Sequence, residues 1–361
     1  MEKTFQPLTY DVKNPVIRSP MEEWAPHAKM SEKTLEWWYL TSLAYDEAGN
    51  PYFIFVILNN FTGEEYQKMN GASAPDGKRI VSIGGRIMDY NREKSYVPAT
   101  SGGMMDDSEI WDAENNAAIF KTSTGTASWS YNDQNMQLEM ETPNIKLSLR
   151  LGDADKVYWH QDKLGIEGMI QQGAEDDFSF YYSIPSATLN GTMSLTDEDG
   201  NTRHLVLSGS GWVDKQWGDF LTLSWEWSSF RFNNGARLHL YKFYNGHQEG
   251  LYVSADGEAS YFDNVIVKQN GYTKNSNMGT WVSWGWSYEF PIEIEGSKHF
   301  TVKPYSDSDK EFLEYPQFNY SMFEGAGVLI DDEKGEKVGI SVNESADVRV
   351  MDNAPYGKNQ K

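Results

Sequence analysis

Apolar and aromatic residues fall in runs of strand length, bounded by clusters of Gly, Asn, Asp and Pro. The first run is Trp37-Trp38-Tyr39-Leu40-Thr41-Ser42-Leu43-Ala44-Tyr45. It is followed by the turn residues Asp46-Glu47-Ala48-Gly49-Asn50-Pro51 and then by Tyr52-Phe53-Ile54-Phe55-Val56-Ile57-Leu58. Two such runs around a turn cluster predict a hairpin, and the unbroken apolar second run predicts a strand covered on both faces. Shorter strand-and-turn units follow at 79–88, 118–121, 127–131, 137–141 and 145–151, the last three in the manner of an antiparallel meander. Residues 89–116 are polar and irregular, and read as a surface excursion or a lid. Residues 1–30 hold four prolines and read as an extended lead-in.

A second set of strands begins near residue 188. Runs at 188–195 and 204–207 flank the hairpin turn Asp197-Glu198-Asp199-Gly200-Asn201. Further on, 225–232 and 237–243 bracket Asn233-Asn234-Gly235, the strongest kind of short hairpin signal. This hairpin echoes the first, since each opens on paired tryptophans and returns in an aromatic strand. The pattern therefore predicts an all-β protein of two domains in tandem, 1–187 and 188–361, with antiparallel strands built as barrels or sandwiches. Helix is nearly absent, with one short turn expected within 306–315.

Composition sharpens this picture. Thirteen Trp, 21 Tyr and 17 Phe make the chain 14% aromatic, more ring surface than a simple sandwich core requires. A pocket for a hydrophobic small molecule is expected. The formal charge of −22 disfavours nucleic acid and anionic membrane surfaces as partners. No transmembrane segment is expected, and no signal peptide is visible at the N-terminus. A location in the cytoplasm, or export with a leader removed, remains open, as does the choice between monomer and weak oligomer. The chain lacks cysteine, which excludes disulfides, thiolate nucleophiles and Cys-ligated zinc. Six histidines without metal spacing give no expectation of a metal site, and no cofactor motif is present.

The densest chemistry lies in Gly209-Ser210-Gly211-Trp212-Val213-Asp214-Lys215-Gln216-Trp217-Gly218-Asp219-Phe220. If the segment is extended, Trp212, Asp214 and Gln216 share one face, and Val213, Lys215 and Trp217 the other. An aspartate among tryptophans is either satisfied by hydrogen bonds or raised in pKa. A carboxyl kept protonated there is what acid chemistry on an alkene needs; the plainer reading is a structural Asp holding a turn. Glu36 shares a face with Trp38 and Leu40, as a candidate catalytic group or a rim charge paired with Lys or Arg. His239 shares a face with Tyr241 and Phe243, where a hydrogen-bonded core histidine is the plainer reading.

Glu36-Trp37-Trp38-Tyr39-Leu40-Thr41 and Gly211-Trp212-Val213-Asp214-Lys215-Gln216-Trp217-Gly218 resemble the two hallmark motifs of the carotenoid 1,2-hydratase (hydroxyneurosporene synthase) family. Trp225-Glu226-Trp227 and Phe323-Glu324-Gly325 also stand where that family has similar residues, and the resemblance runs from about residue 30 to 345. It implies two lipocalin-like β domains with a site near their junction. It also implies one of several activities: hydration of isoprenoid double bonds or of a phytoalexin, or decalin formation by fungal Diels–Alderases. Asp214 matches the aspartate implicated in alkene hydration, and Trp212 and Trp217 its aromatic neighbours. The chain departs from the pattern at Lys215, where the family commonly has His, and in 338–344, where the usual ending is Tyr-x-Glu.

These readings lead to a cofactor-independent carbon–oxygen lyase acting on a C=C bond of an apolar, isoprenoid-like substrate. Asp214 would deliver the proton, with water held by Gln216, Glu36 or a tyrosine. Trp38, Trp212, Trp217 and Trp227 would face the cation, and His239 and Tyr241 would line the substrate site. A Diels–Alderase or other pericyclase folding a polyene, and a non-catalytic carrier of a hydrophobic ligand, are the alternatives.

Overall fold

Aspartate-led turns set the register of two hairpins. Asp46 Oδ1 accepts the backbone N–H groups of Ala48 (2.9 Å) and Asn50 (2.8 Å), and Asp197 Oδ1 those of Asp199 (3.1 Å) and Asn201 (2.9 Å). The glycines between them, Gly49 and Gly200, have φ of 81° and 82°, a conformation that costs a residue with a Cβ. The computed structural model describes residues 7–9 and 17–346, apart from 99–101, 155, 173, 222–223, 244, 276, 280, 307–310 and 316–319.

The protein is almost wholly β, built from two curled antiparallel sheets in the manner of tandem lipocalin-like domains. The chain divides into two compact units, Met1–Trp159 with Ser179–Phe220, and His160–Phe178 with Leu221–Lys361. Strands of the first unit are β1 (Thr34–Asp46), β2 (Pro51–Phe61), β3 (Lys78–Asp89), β4 (Lys94–Tyr96), β5 (Gly102–Asp106), β6 (Trp111–Asp112) and β7 (Ala117–Lys121). They continue with β8 (Thr126–Asn132), β9 (Asn135–Glu141), β10 (Ile145–Gly152) and β11 (Tyr158–Trp159). After β12 (Met169–Gln171), which lies in the second unit, β13 (Phe178–Thr196) and β14 (Thr202–Asp219) complete the first sheet. Its order is β4-β3-β2-β1-β14-β13-β10-β9-β8-β7-β6, so the first strand pairs with the last.

The second unit carries β15 (Trp225–Phe232), β16 (Arg237–Phe243), β17 (Gln248–Val253), β18 (Ala259–Phe262) and β19 (Ile266–Lys274). It ends with β20 (Trp281–Ile294), β21 (Ser297–Pro304), β22 (Phe312–Tyr315), β23 (Tyr320–Asp331) and β24 (Glu336–Ala346). Its order, β18-β17-β16-β15-β24-β23-β21-β20-β19, repeats the logic of the first. In each unit the Trp-led hairpin supplies the opening strand, and that strand pairs with the closing one: β1 with β14, β15 with β24.

Alternation explains the inner faces. On β9 and β10 every second residue is buried, among them Met136, Leu138, Met140, Leu147, Leu149 and Leu151. By contrast β1 is buried on both faces from Thr34 to Ala44, and β2 nearly so. The second core gathers Phe230, Leu238, Trp286, Phe290, Phe300 and Phe323.

The fold adds detail to the sequence expectations. Residues 187 and 188, between which the domain boundary is expected, both lie in β13, and the run beginning at Thr188 pairs with β10 in the first sheet (Thr188↔Gly152, Leu195↔Ile145). The described part of the lead-in, expected to be extended, packs into the core of the first unit. Trp24 is fully buried, meets Trp38 and Trp129 edge-on at 6.4 and 5.2 Å, and donates its indole N–H to the Trp129 carbonyl (2.9 Å). Burying such a ring removes roughly 200 Å² from water, worth about 5 kcal/mol as an upper bound. The excursion at 89–116 contributes β4, β5 and β6 to the sheet, although 99–101 lie outside the described residues. Of the turn expected within 306–315, 307–310 lie outside the described residues and Phe312–Tyr315 is strand β22, while a helix that pattern did not predict, α1 (Glu64–Met69), follows β2.

Candidate functional site

The antiparallel register of β1 on β14 places Glu36 opposite Trp217, Trp38 opposite Lys215, and Tyr39 opposite Asp214. Directly opposed residues point to the same side of a sheet. Glu36, Trp38, Lys215 and Trp217 therefore share one face, and Tyr39, Trp212, Asp214 and Gln216 the other. Both faces are buried, so this strand pair carries a polar cluster on each side. The split expected along 212–217 is the one the strand adopts.

On the first face Glu36 is 1% exposed. Its carboxylate accepts the backbone N–H of His27 (3.2 Å) and the Asn60 amide N–H (2.7 Å), and it is ion-paired with Lys215. His27 Nδ1 lies 2.7 Å from Glu36 Oε1, and its Nε2 lies 2.8 Å from Glu23 Oε2. Burial opposes ionisation of Glu36, but the Lys215 and His27 charges outweigh it and bring its pKa down to about 2. Burial acts on Lys215 in the other direction and lowers it to about 8, against the pull of Glu36. The ammonium sits 3.6 Å above the centre of the Trp38 ring, and the His27 ring stacks on Trp217 at 4.1 Å.

On the opposite face Asp214 is 3% exposed. Its Oδ1 accepts the Trp212 indole N–H (2.7 Å) and the Ser183 hydroxyl (2.5 Å), and its Oδ2 accepts the Tyr181 hydroxyl (2.7 Å). The hydrogen bonds to this buried aspartate come from side chains rather than from the backbone of a turn. Gln216 lies beside it and donates its amide N–H to Ser179 Oγ (2.7 Å).

The second unit holds the remaining expected residues. Trp227 and Tyr241 are directly opposed across β15 and β16, and His239 stands 5.5 Å from the Trp227 ring and 5.8 Å from the Tyr241 ring. A third cluster forms there. His160 and His239 each approach the carboxylate of Glu249, at 2.9 and 3.1 Å, and all three are buried. Burial opposes ionisation of Glu249, but the two histidine charges bring its pKa down to about 2. The ligand atoms of the three side chains lie within 4.8 Å of one another, a grouping able to hold a metal ion.

Asp214, Gln216 and Trp212 thus come together, while Glu36, Trp38 and Trp217 form a separate group behind the same strands. Glu36 is an interior charge rather than a rim charge, though its partner is the lysine expected of one. Trp38 already carries a cation on its face. Sequence reading missed His27, Glu23, Asn60, Tyr181 and Ser183 as partners, and His160 and Glu249 beside His239. In the sequence only Trp24 and Trp159, each three residues or fewer from one of these groups, hint at them. A cleft of about 180 Å³ lined by Phe120, Ala127, Met140 and Leu147 includes neither Asp214 nor Glu36.

The AttH-like family profile matches residues 18–337, beginning within the lead-in. Among solved structures, one from Nitrosomonas europaea, provisionally assigned as AttH, is similar at 14% identity and a TM-score of 0.68. The match covers 94% of this chain and 99% of that one. Kievitone hydratase from Nectria haematococca is similar at 13% identity and a TM-score of 0.62, with 95% and 96% covered. At these identities the likeness is one of fold. No curated protein sequence matches the chain at a significant level.

Proposed function

The chain belongs to the AttH-like family, a carotenoid hydratase-like group, and we propose that it is a hydratase adding water across a C=C bond of an apolar, isoprenoid-like substrate. The observation that carries this reading is the buried Asp214 carboxyl bonded at Oδ2 to the Tyr181 hydroxyl. Trp212 is a donor only, so its N–H fixes Oδ1 as an acceptor. The exchangeable proton belongs on Oδ2, where the tyrosine hydroxyl is a rotor able to accept as well as donate. In the proposed step that proton passes to the less substituted alkene carbon, the π pair forms the new C–H bond, and a carbocation is left at the other carbon. Water adds there and returns a proton to the Asp214 carboxylate, so the net change is one H₂O added. The Trp212 face stabilises the cation by about 0.5–2 kcal/mol. Gln216 rather than Glu36 holds the water, because it lies on the Asp214 side of the strand pair.

The test is turnover of an acyclic isoprenoid alkene by the wild type, Asp214→Asn and Tyr181→Phe. Asp214→Asn should abolish hydration with the fold kept. Tyr181→Phe should lower the rate by about 10²–10⁴. Full turnover by Asp214→Asn overturns the assignment. An isomer of unchanged mass points instead to a pericyclase, and unchanged ligand retained one per chain to a carrier.

A further inference from the structure

We propose that His160, His239 and Glu249 form a binding site for one divalent transition-metal ion, with Zn²⁺ the best fit. This inference is independent of the hydratase reading. His160 follows β11, His239 lies on β16 and Glu249 on β17, so the three converge only in the folded second unit. Each is at most 1% exposed, unlike the acidic clusters common on protein surfaces. Two imidazoles and one carboxylate are a known ligand set for zinc, with a fourth position left for water or another group.

Geometry supports the assignment. One ligand atom from each residue lies within 4.8 Å of the others. Bonds of about 2.0–2.2 Å to a tetrahedral ion place ligand atoms about 3.3 Å apart, a span that rotation of the rings can reach. The carboxylate of Glu249 faces both rings: its Oε1 lies 2.9 Å from His160 Nδ1 and its Oε2 3.1 Å from His239 Nδ1. Two imidazole nitrogens and two carboxylate oxygens are therefore already turned toward one buried point, where an ion can replace the direct contacts. Trp227 and Tyr241 pack around His239 and limit how far the ring can move.

The full chain without an affinity tag, stripped with chelator and then dialysed against Zn²⁺, should retain one zinc per chain. Zinc should also raise its unfolding temperature, since a ligand that binds the folded state stabilises it. X-ray absorption at the zinc edge should show two imidazole ligands and an oxygen. Glu249→Gln and His239→Asn should lose the stoichiometric metal, while His204→Asn, at an exposed histidine, should keep it. Because the two buried variants can fail to fold, the wild-type spectrum decides on its own. No stoichiometric zinc, or a spectrum with fewer than two imidazoles, overturns the proposal. Zinc that persists in folded Glu249→Gln and His239→Asn does so as well.

Discussion

Replacing Lys215 with Met leaves Glu36 buried with its principal counter-charge gone. The native pair is finely balanced. Burial opposes both charges, and each is the largest relief of the other, with Lys215 still held near 8 and Glu36 near 2. The pair as a whole therefore contributes little, as buried ion pairs commonly do, whereas removing one partner exposes the full cost of the other. Lys215→Met should destabilise the first unit by about 3–5 kcal/mol, and lower its unfolding temperature on the order of 10 °C. Glu36→Gln with Lys215→Met should recover much of that loss, because neither charge is then left alone. Urea unfolding followed by tryptophan fluorescence and by far-ultraviolet dichroism measures both, with Trp38 and Trp217 next to the altered site. A single variant within about 0.5 kcal/mol of the wild type, or a double variant weaker than the single, would refute the charge-balance argument.

Acid should weaken both units, since Glu36 and Glu249 are held near 2 when folded. A depressed carboxyl pKa gives stability that is present above about 4.5 and lost as pH falls toward about 2. An unfolding temperature that stays level between pH 5 and pH 3 sinks this expectation. Gly339→Ala places a Cβ 2.2 Å from the Arg231 carbonyl on the paired strand, and should cost about 3 kcal/mol or more. Gly102→Ala, with only the Val81 carbonyl at 3.6 Å, should stay within about 0.5 kcal/mol; equal costs in urea titrations contradict the packing.

Much of the first sheet could be read from local pattern. The runs at 37–45, 52–58, 127–131 and 145–151 all lie inside observed strands, because alternation and Asp- or Asn-led turns act over a few residues. The period of two also divided 212–217 correctly between Asp214 and Lys215. The partners those residues meet could not be read in the same way. Tyr181 and Ser183 reach Asp214 from a neighbouring strand, and His27 reaches Glu36 from a proline-bearing lead-in with no periodicity. Such contacts depend on register and curl, which no short window records. For the same reason scattered histidines gave no sign that His160 and His239 share one carboxylate. The helix at Glu64–Met69 is six residues long, too short for an apolar stripe to mark it.

Isotope labelling tests the central claim most directly. The wild-type protein is incubated in H₂¹⁸O with an acyclic isoprenoid bearing a trisubstituted double bond, and the product is analysed by mass spectrometry. Hydration predicts one ¹⁸O on the more substituted carbon, as a tertiary alcohol, and none with Asp214→Asn. Recovery of the alkene unchanged, or of an isomer carrying no label, contradicts the account.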